Sequence, residues 1–456
     1  MTNLRGAATF LSIDVGTSAV KTSVVDSTGR ELQWASTEYS HIRMPGDRVE
    51  IEPSTLLTAI ETAVRQLDEP LRRGVDQIVF DTFSPSLVVM QSSGQLAYPR
   101  IITHLDRRSR EQSHDVLERL GAERFLQITG FLPFVGGSGL LSLLWLLKHE
   151  PETLRDTYRV GHLTTYLHHL LTGEWTTDPV NASMFGAYET TTGRGWSTEI
   201  LETFDLNAAW FPDVREPGTS LGTLRRGIAD TLGLRAGTPV AVGTNDMAAA
   251  HLGAGNDRAG QSMNTAGSSE MISVLTDHPV PSPHYYLRCA ATPGLWQIYA
   301  TTAGGFALDW FHAQFAREMS RKAFFDEIVP QALSEHLDDD TIIFHPYLTG
   351  DRQSLERRTG QWDGLTLSST REGMLGAMMK AMVGVLSGTL SRAGEVVALD
   401  PVIKVSGGMS SVAYLSVKQA LMPNFSFEQV QNCSVLGNVA LAQRHHPTHQ
   451  LSEGLT

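Results

Sequence analysis

Asp14-Val15-Gly16-Thr17-Ser18 places an acid, a glycine and two hydroxyl residues within five positions, with Lys21 three residues on. A glycine lets the backbone come close to a phosphate. Thr17 and Ser18 add amides and hydroxyls, and successive amides in a tight turn form an anion-binding concavity. An aspartate such as Asp14 can hold a magnesium ion, usually with waters between them. An ordinary hairpin with a polar turn has the same composition, so this motif gains weight only from company.

The company is found further along the chain. Thr265-Ala266-Gly267-Ser268-Ser269-Glu270-Met271 repeats the pattern of strand, small-residue turn and strand, and so reads as a second phosphate-binding hairpin. In Gly243-Thr244-Asn245-Asp246, a strand ends and an alanine-rich helix begins. Asp246 then falls in the first helical turn, where the helix dipole favours an ionised carboxylate able to accept a hydroxyl proton. A structural first-turn acid would look the same. Lys404-Val405-Ser406-Gly407-Gly408 enters a double glycine from a short strand, and a helix follows; a flat base or ribose can lie against such a backbone.

These motifs need elements to hold them. Thr9–Ile13, Val20–Val25 and Glu31–Thr37 read as strands, with turn chemistry at Asp26 to Gly29. Glu52-Pro53-Ser54 precedes a helical pattern through Leu56, Leu57, Ile60, Ala63 and Val64, and Gln77–Phe80 reads as a buried strand. The alternation continues to about residue 235 and restarts at Gly237, which predicts an α/β chain of two domains, 1–235 and 236–456, with a cleft between them as the ligand site.

With 456 residues, 41% of them hydrophobic, the chain is too long for one ordinary core. A net charge of -13 argues against a nucleic-acid partner, though local amides and a metal can still hold an anion. The two cysteines, Cys289 and Cys433, make no disulfide framework and are expected as buried, reduced thiols of a cytoplasmic protein. No signal peptide, membrane span or membrane partner is expected. Met374, Met378, Met379 and Met382 fall at helical spacing and read as a core stripe, His162, His168 and His169 as helix-surface or packing residues, and His445-His446-Pro447-Thr448-His449 as a solvated tail.

Taken in order, the motifs resemble the FGGY family of carbohydrate kinases over residues 11–442. Asp14, Gly16, Thr17 and Lys21 match the family's opening pattern, Asp106-Arg107-Arg108 its sugar-site segment, and Leu171-Thr172-Gly173 a further element. Gly267-Ser268, Gly304-Gly305 through Asp309-Trp310, Pro346-Tyr347-Leu348 with Gly350-Asp351-Arg352, and Gly407-Gly408 match in turn. The resemblance implies two ribonuclease H-like domains of the actin-like ATPase fold, the first binding sugar and the second ATP. It implies Asp246 as catalytic base and Asp14 as the magnesium residue. ATP contacts are implied at Gly16, Thr17, Ser18, Lys21, Gly267, Ser268, Gly305, Asp309, Gly407, Gly408 and Val412. Sugar contacts are implied at Phe83, Ser84, Asp106, Arg108 and Asp246.

The match to the family pattern has departures. His104 replaces a tryptophan, Ser142 a lysine and Asp351 a glutamate, while Thr82-Phe83-Ser84-Pro85-Ser86 lacks the Met-His pair of many xylulose and gluconate kinases. The resemblance therefore implies a Mg-ATP-dependent kinase of a small sugar, with a ketopentose such as xylulose first and gluconate or a polyol as alternatives. A sugar-binding regulator that has lost catalysis, or a chaperone-type ATPase, would use the same fold. Symmetry preference makes a homodimer the default assembly.

Overall fold

Alternation of apolar and small polar residues builds the first hairpin. In the computed structural model, which describes residues 7–267, 269–336, 339–348, 350, 358–409 and 412–444, Thr9–Val15 and Ala19–Asp26 pair antiparallel, with Asp14 opposite Lys21. Glu31–Glu38 adds a third antiparallel strand. On the other side Gln77–Thr82 runs parallel to the first strand, placing Asp81 in register with Asp14. Pro239–Ala241 runs parallel beyond it.

The second hairpin repeats this plan. Ser262–Ala266 and Glu270–Thr276 pair antiparallel, and Trp296–Thr302 extends that side antiparallel. Val402–Ser406 lies parallel to the first strand of the hairpin, followed by parallel Ser426–Gln429. Both sheets thus run antiparallel, antiparallel, parallel, parallel. The echo between residues 14 and 265 is a repeat of sheet topology as well as of sequence.

The chain divides into two compact units, one of residues 1–255, 288–294 and 432–456, the other of residues 256–287 and 295–431. This division differs from the expected boundary at 235/236. Residues 236–255 complete the first unit because Pro239–Ala241 and Thr244–Asn245 both pair with Gln77–Thr82. The last described helix, Cys433–Arg444, also returns to the first unit, which no local sequence signal announces.

In the first unit the main sheet is covered on both faces. One face packs Leu11, Ile13, Ile78 and Phe80 against Leu56, Ile60 and Val64 of helix Pro53–Arg65 and against Leu167 and Leu171 of helix Leu163–Thr172. The other packs Phe10, Val25 and Val79 with Ala248, Val435 and Val439. Helices Asp246–Gly253 and Cys433–Arg444 approach so closely that a Cβ on Gly437 would lie 1.8 Å from the Ala249 carbonyl oxygen. Only small residues fit there.

A second sheet of this unit runs in the order Ile42–Met44, Arg48–Ile51, Ile101–Thr103, Ser86–Gln91, Thr157–Gly161. In the second unit, helix Arg371–Gly394 is long and apolar enough to cross a membrane, but 61% of its apolar 18-residue window is buried within the protein. Met378, Met379 and Met382 sit in its core, as the periodicity predicts.

Candidate functional site

Three carboxylates converge in the first unit because three strands end side by side. Asp14 closes one strand, Asp81 lies next to it in parallel register, and Thr244 pairs with Asp81 from the far side. Asp246 follows as the first residue of its helix, capped by Asn245, whose side-chain oxygen accepts from the Met247 and Ala248 amides. The Asp246 Oδ1 accepts from the Met247 amide at 2.8 Å and from Asn245 Nδ2 at 2.9 Å. Asp14 and Asp246 keep part of their surface open to solvent, whereas Asp81 is buried.

Burial raises all three carboxyls, and repulsion between carboxylates adds to it at Asp246 and Asp81. Burial, then the Asp14 charge, pushes Asp246 up to about 7. Burial raises Asp14, and a hydrogen bond with Asp81 together with the Lys21 charge counters it. Asp81 is raised well above the usual carboxylate range, first by burial and then by the charges of Asp14 and Asp246. A protonated Asp81 sharing its proton with Asp14 fits both shifts. Asn438 Nδ2 donates to Asp81 at 2.6 Å and to Ser12 at 3.0 Å. Asp81 and Asn438 escape motif reading. The signal for Asp81 is an acid inside the apolar strand Gln77–Thr82; none exists for Asn438.

The turn after Asp14 is braced from behind. Its carbonyls are tied down by Tyr39, whose hydroxyl donates to Gly16 O at 2.5 Å and whose amide donates to Ser18 O at 3.0 Å. A His41 ring nitrogen lies 2.6 Å from Thr17 O. Lys21 Nζ donates to Asn432 Oδ1 at 2.8 Å and lies 3.7 Å from Glu31. Phe83 follows directly, its amide donating to Val15 O at 2.9 Å. Its ring stands 5.5 Å from that of His104. The Ser84 hydroxyl donates to Asn181, which is held by Asp178, itself bound to the Thr244 hydroxyl at 2.7 Å. His168 is a buried packing residue; its Nε2 accepts from the Gly243 amide at 2.8 Å and steadies the approach to Asp246.

Asp106 and Arg108, expected to grip the sugar, are spent on each other. Arg108 Nε lies 3.0 and 3.1 Å from the two Asp106 oxygens, its Nη2 bonds Asp106 and Glu50, and its Nη1 reaches Tyr98. Asp106 also accepts from the Val49 and Arg108 amides. Both side chains are 2% exposed. Their role in this geometry is to lock the loop at 103–108 against the second sheet. Glu50 and Tyr98 are partners that spacing could not reveal.

In the second unit the glycine turns are stitched by backbone. The Gly305 amide donates to Gly267 O at 3.0 Å, and the Met409 amide to Ala266 O at 2.8 Å. Gly407 has φ +104°, and a Cβ there would lie 2.5 Å from Ala266 O. Gly408 follows it, exposed. Gly267, Gly305, Gly407 and Gly408 are therefore brought together. Asp309 points to solvent, paired with Arg321 at 2.9 Å. Ser268, Asp351, Arg352 and the histidines at 445–449 lie outside the described residues, as does the side chain of Val412.

No group of three or more His, Cys, Asp or Glu side chains forms a ready metal cage among the described residues. The donor set of Asp14 with its neighbouring raised carboxyls suits a hydrated magnesium, which needs few protein ligands. A divalent cation there would relieve the repulsion that raises them.

Residues 9–253 match the FGGY family of carbohydrate kinases, N-terminal domain. A xylulose kinase of Staphylococcus xylosus is 24% identical over 422 residues, covering 90% of this chain and 85% of that one. The structure superposes with TM-score 0.87 and 21% identity on a ligand-bound xylulose kinase from Lactobacillus acidophilus, covering 96% of this chain and 89% of that one. A gluconate kinase from the same organism gives the same TM-score, identity and coverage.

Proposed function

The chain belongs to the FGGY family of carbohydrate kinases, phosphotransferases with an alcohol group as acceptor that use ATP, and on that premise we propose that it phosphorylates xylulose or a closely similar ketose. The acceptor sits beside Asp246, Phe83 and Ser84. ATP is held by the glycine turns at 267, 305 and 407–408, and the enzyme works in the cytoplasm. Asp14 would hold a magnesium ion, which would supply neutralisation of phosphate charge.

Asp246 takes the proton of the acceptor hydroxyl as that oxygen forms its bond to the γ-phosphorus. The bond from phosphorus to the bridging oxygen breaks, and ADP leaves with the electron pair. The observation that carries this role is the partly solvent-open Asp246 carboxyl, raised to about 7 beside Asp14. Such a value suits a base working near neutrality. Tyr39 and His41 hold the Asp14 turn with its carbonyls occupied, which favours amides turned toward phosphate.

The similarity to a gluconate kinase supports a second reading, an aldonate acceptor. Coupled ADP release across a panel of ketoses, aldonates and polyols decides between them. The highest kcat/KM on xylulose is expected. A preference for gluconate replaces the substrate, and sugar binding without ADP release on every compound replaces the kinase with a regulator.

A further inference from the structure

Beneath the glycine turns of the second unit lies a fully buried ion pair that the proposed reaction does not use. Lys418 Nζ stands 2.5 Å from Glu270 Oε1, and both side chains are 0% exposed. The same ammonium donates to Asn264 Oδ1 at 2.5 Å and lies 4.4 Å from the centre of the Tyr414 ring. The Tyr414 hydroxyl donates to the other Glu270 oxygen at 2.7 Å. Burial lowers the Lys418 pKa against the opposing pull of Glu270.

The elements joined are the ones that carry the turns. Asn264 lies on the strand entering the Gly267 turn, and Glu270 is the first residue of the strand leaving it. Tyr414 and Lys418 lie one turn apart on helix Val412–Leu421, which follows Gly407-Gly408. A Cβ on Gly304 would lie 2.6 Å from the Glu270 amide nitrogen, so the Gly304-Gly305 turn rests on the same residue. Burying two charges costs several kcal/mol of desolvation, and a well-packed apolar pair would serve stability as well. What an ion pair can add, as buried polar groups do in some proteins, is a single register of helix against hairpin.

We propose that Glu270 and Lys418 are positioning residues for the nucleotide, setting the distance between the phosphate hairpin and the glycine turn at 407–408. This rests on the reading that those turns hold ATP. The pair touches no reacting atom. It acts on ATP affinity and leaves the acceptor sugar's affinity alone.

The test uses the full-length protein with Lys418→Met, Glu270→Gln and the double variant. Each single variant strands a buried charge, lowering Tm and raising the KM for ATP by ~10-fold or more, the scale of a sub-ångström misplacement. The KM for sugar stays within about twofold, because no acceptor contact changes. The double variant strands no charge, so its Tm recovers while its ATP KM stays high. It also serves if a single variant fails to fold. Recovery of ATP KM together with Tm, an unchanged ATP KM, or parallel rises in both KM values overturns the proposal. Gly407→Ala, which drives a Cβ onto Ala266 O, separates the two layers. If it leaves ATP KM unchanged, the nucleotide reading itself fails. If it raises ATP KM and the pair variants do not, only the positioning role fails.

Discussion

Asp246→Asn should abolish turnover and stabilise the protein. The carboxyl is shifted from an ordinary 3.8 to about 7 in the fold. At ~1.4 kcal/mol per pH unit, the ionised form costs the folded state at most ~4 kcal/mol. Solvent reaches part of the side chain, and screening there brings the figure to ~2 kcal/mol. Asparagine keeps an oxygen for the Met247 amide and Asn245 Nδ2, so little is lost in exchange. The sign follows from the order of ionisation. Below pH 3.8 folded and unfolded chains both hold the proton, and the penalty is nil. Above it the unfolded chain ionises first, and the penalty grows until the folded carboxyl ionises near 7. The variant should therefore melt with wild type at pH 4 and ~4 °C above it at pH 8, read by scanning calorimetry. Its kcat should fall at least ~100-fold. In the wild type, kcat/KM should rise with pH through about 7. A variant that melts no higher than wild type at pH 8, or a gap that ignores pH, would refute the burial argument; full turnover would refute the base.

Arg108→Ala leaves the buried Asp106 without its cation and Glu50 with Arg100 alone, and should cost ~3 kcal/mol in urea unfolding. If instead stability holds and only the sugar KM rises, Arg108 contacts substrate after all. Gly437→Ala pushes a methyl group into the Ala249 carbonyl and should cost ~1–3 kcal/mol by overpacking; an unchanged Tm would show that the two helices part freely.

Local chemistry was legible wherever a signal lies within a few residues. The strands about Asp14, the helix at 53–65 and the twin hairpins follow from alternation, turn residues and a capping proline. Asp246 reads correctly as a first-turn helical acid because the Gly243-to-Asp246 strand stop is local. Long-range partnerships were not legible. Asp81 matters because parallel pairing sets it beside Asp14, and pairing register is written in no single segment. Arg108 looks like a ligand hook until Glu50 from the strand Arg48–Ile51 and Tyr98 from the turn before Ile101 consume its donors. The limits of the first unit were missed for a related reason: alanines and glycines that permit close helix packing do not name their partner.

The return of the last described helix has a consequence for biosynthesis. Asn438 supplies a hydrogen bond to Asp81, and Val435 and Val439 close one face of the first sheet. A growing polypeptide therefore leaves the ribosome with its opening half unfinished, one apolar side only partly covered while all of the second unit is still being made. Chaperone demand should peak in that interval, and a premature stop shortly before residue 432 would harm the part of the molecule that was translated first.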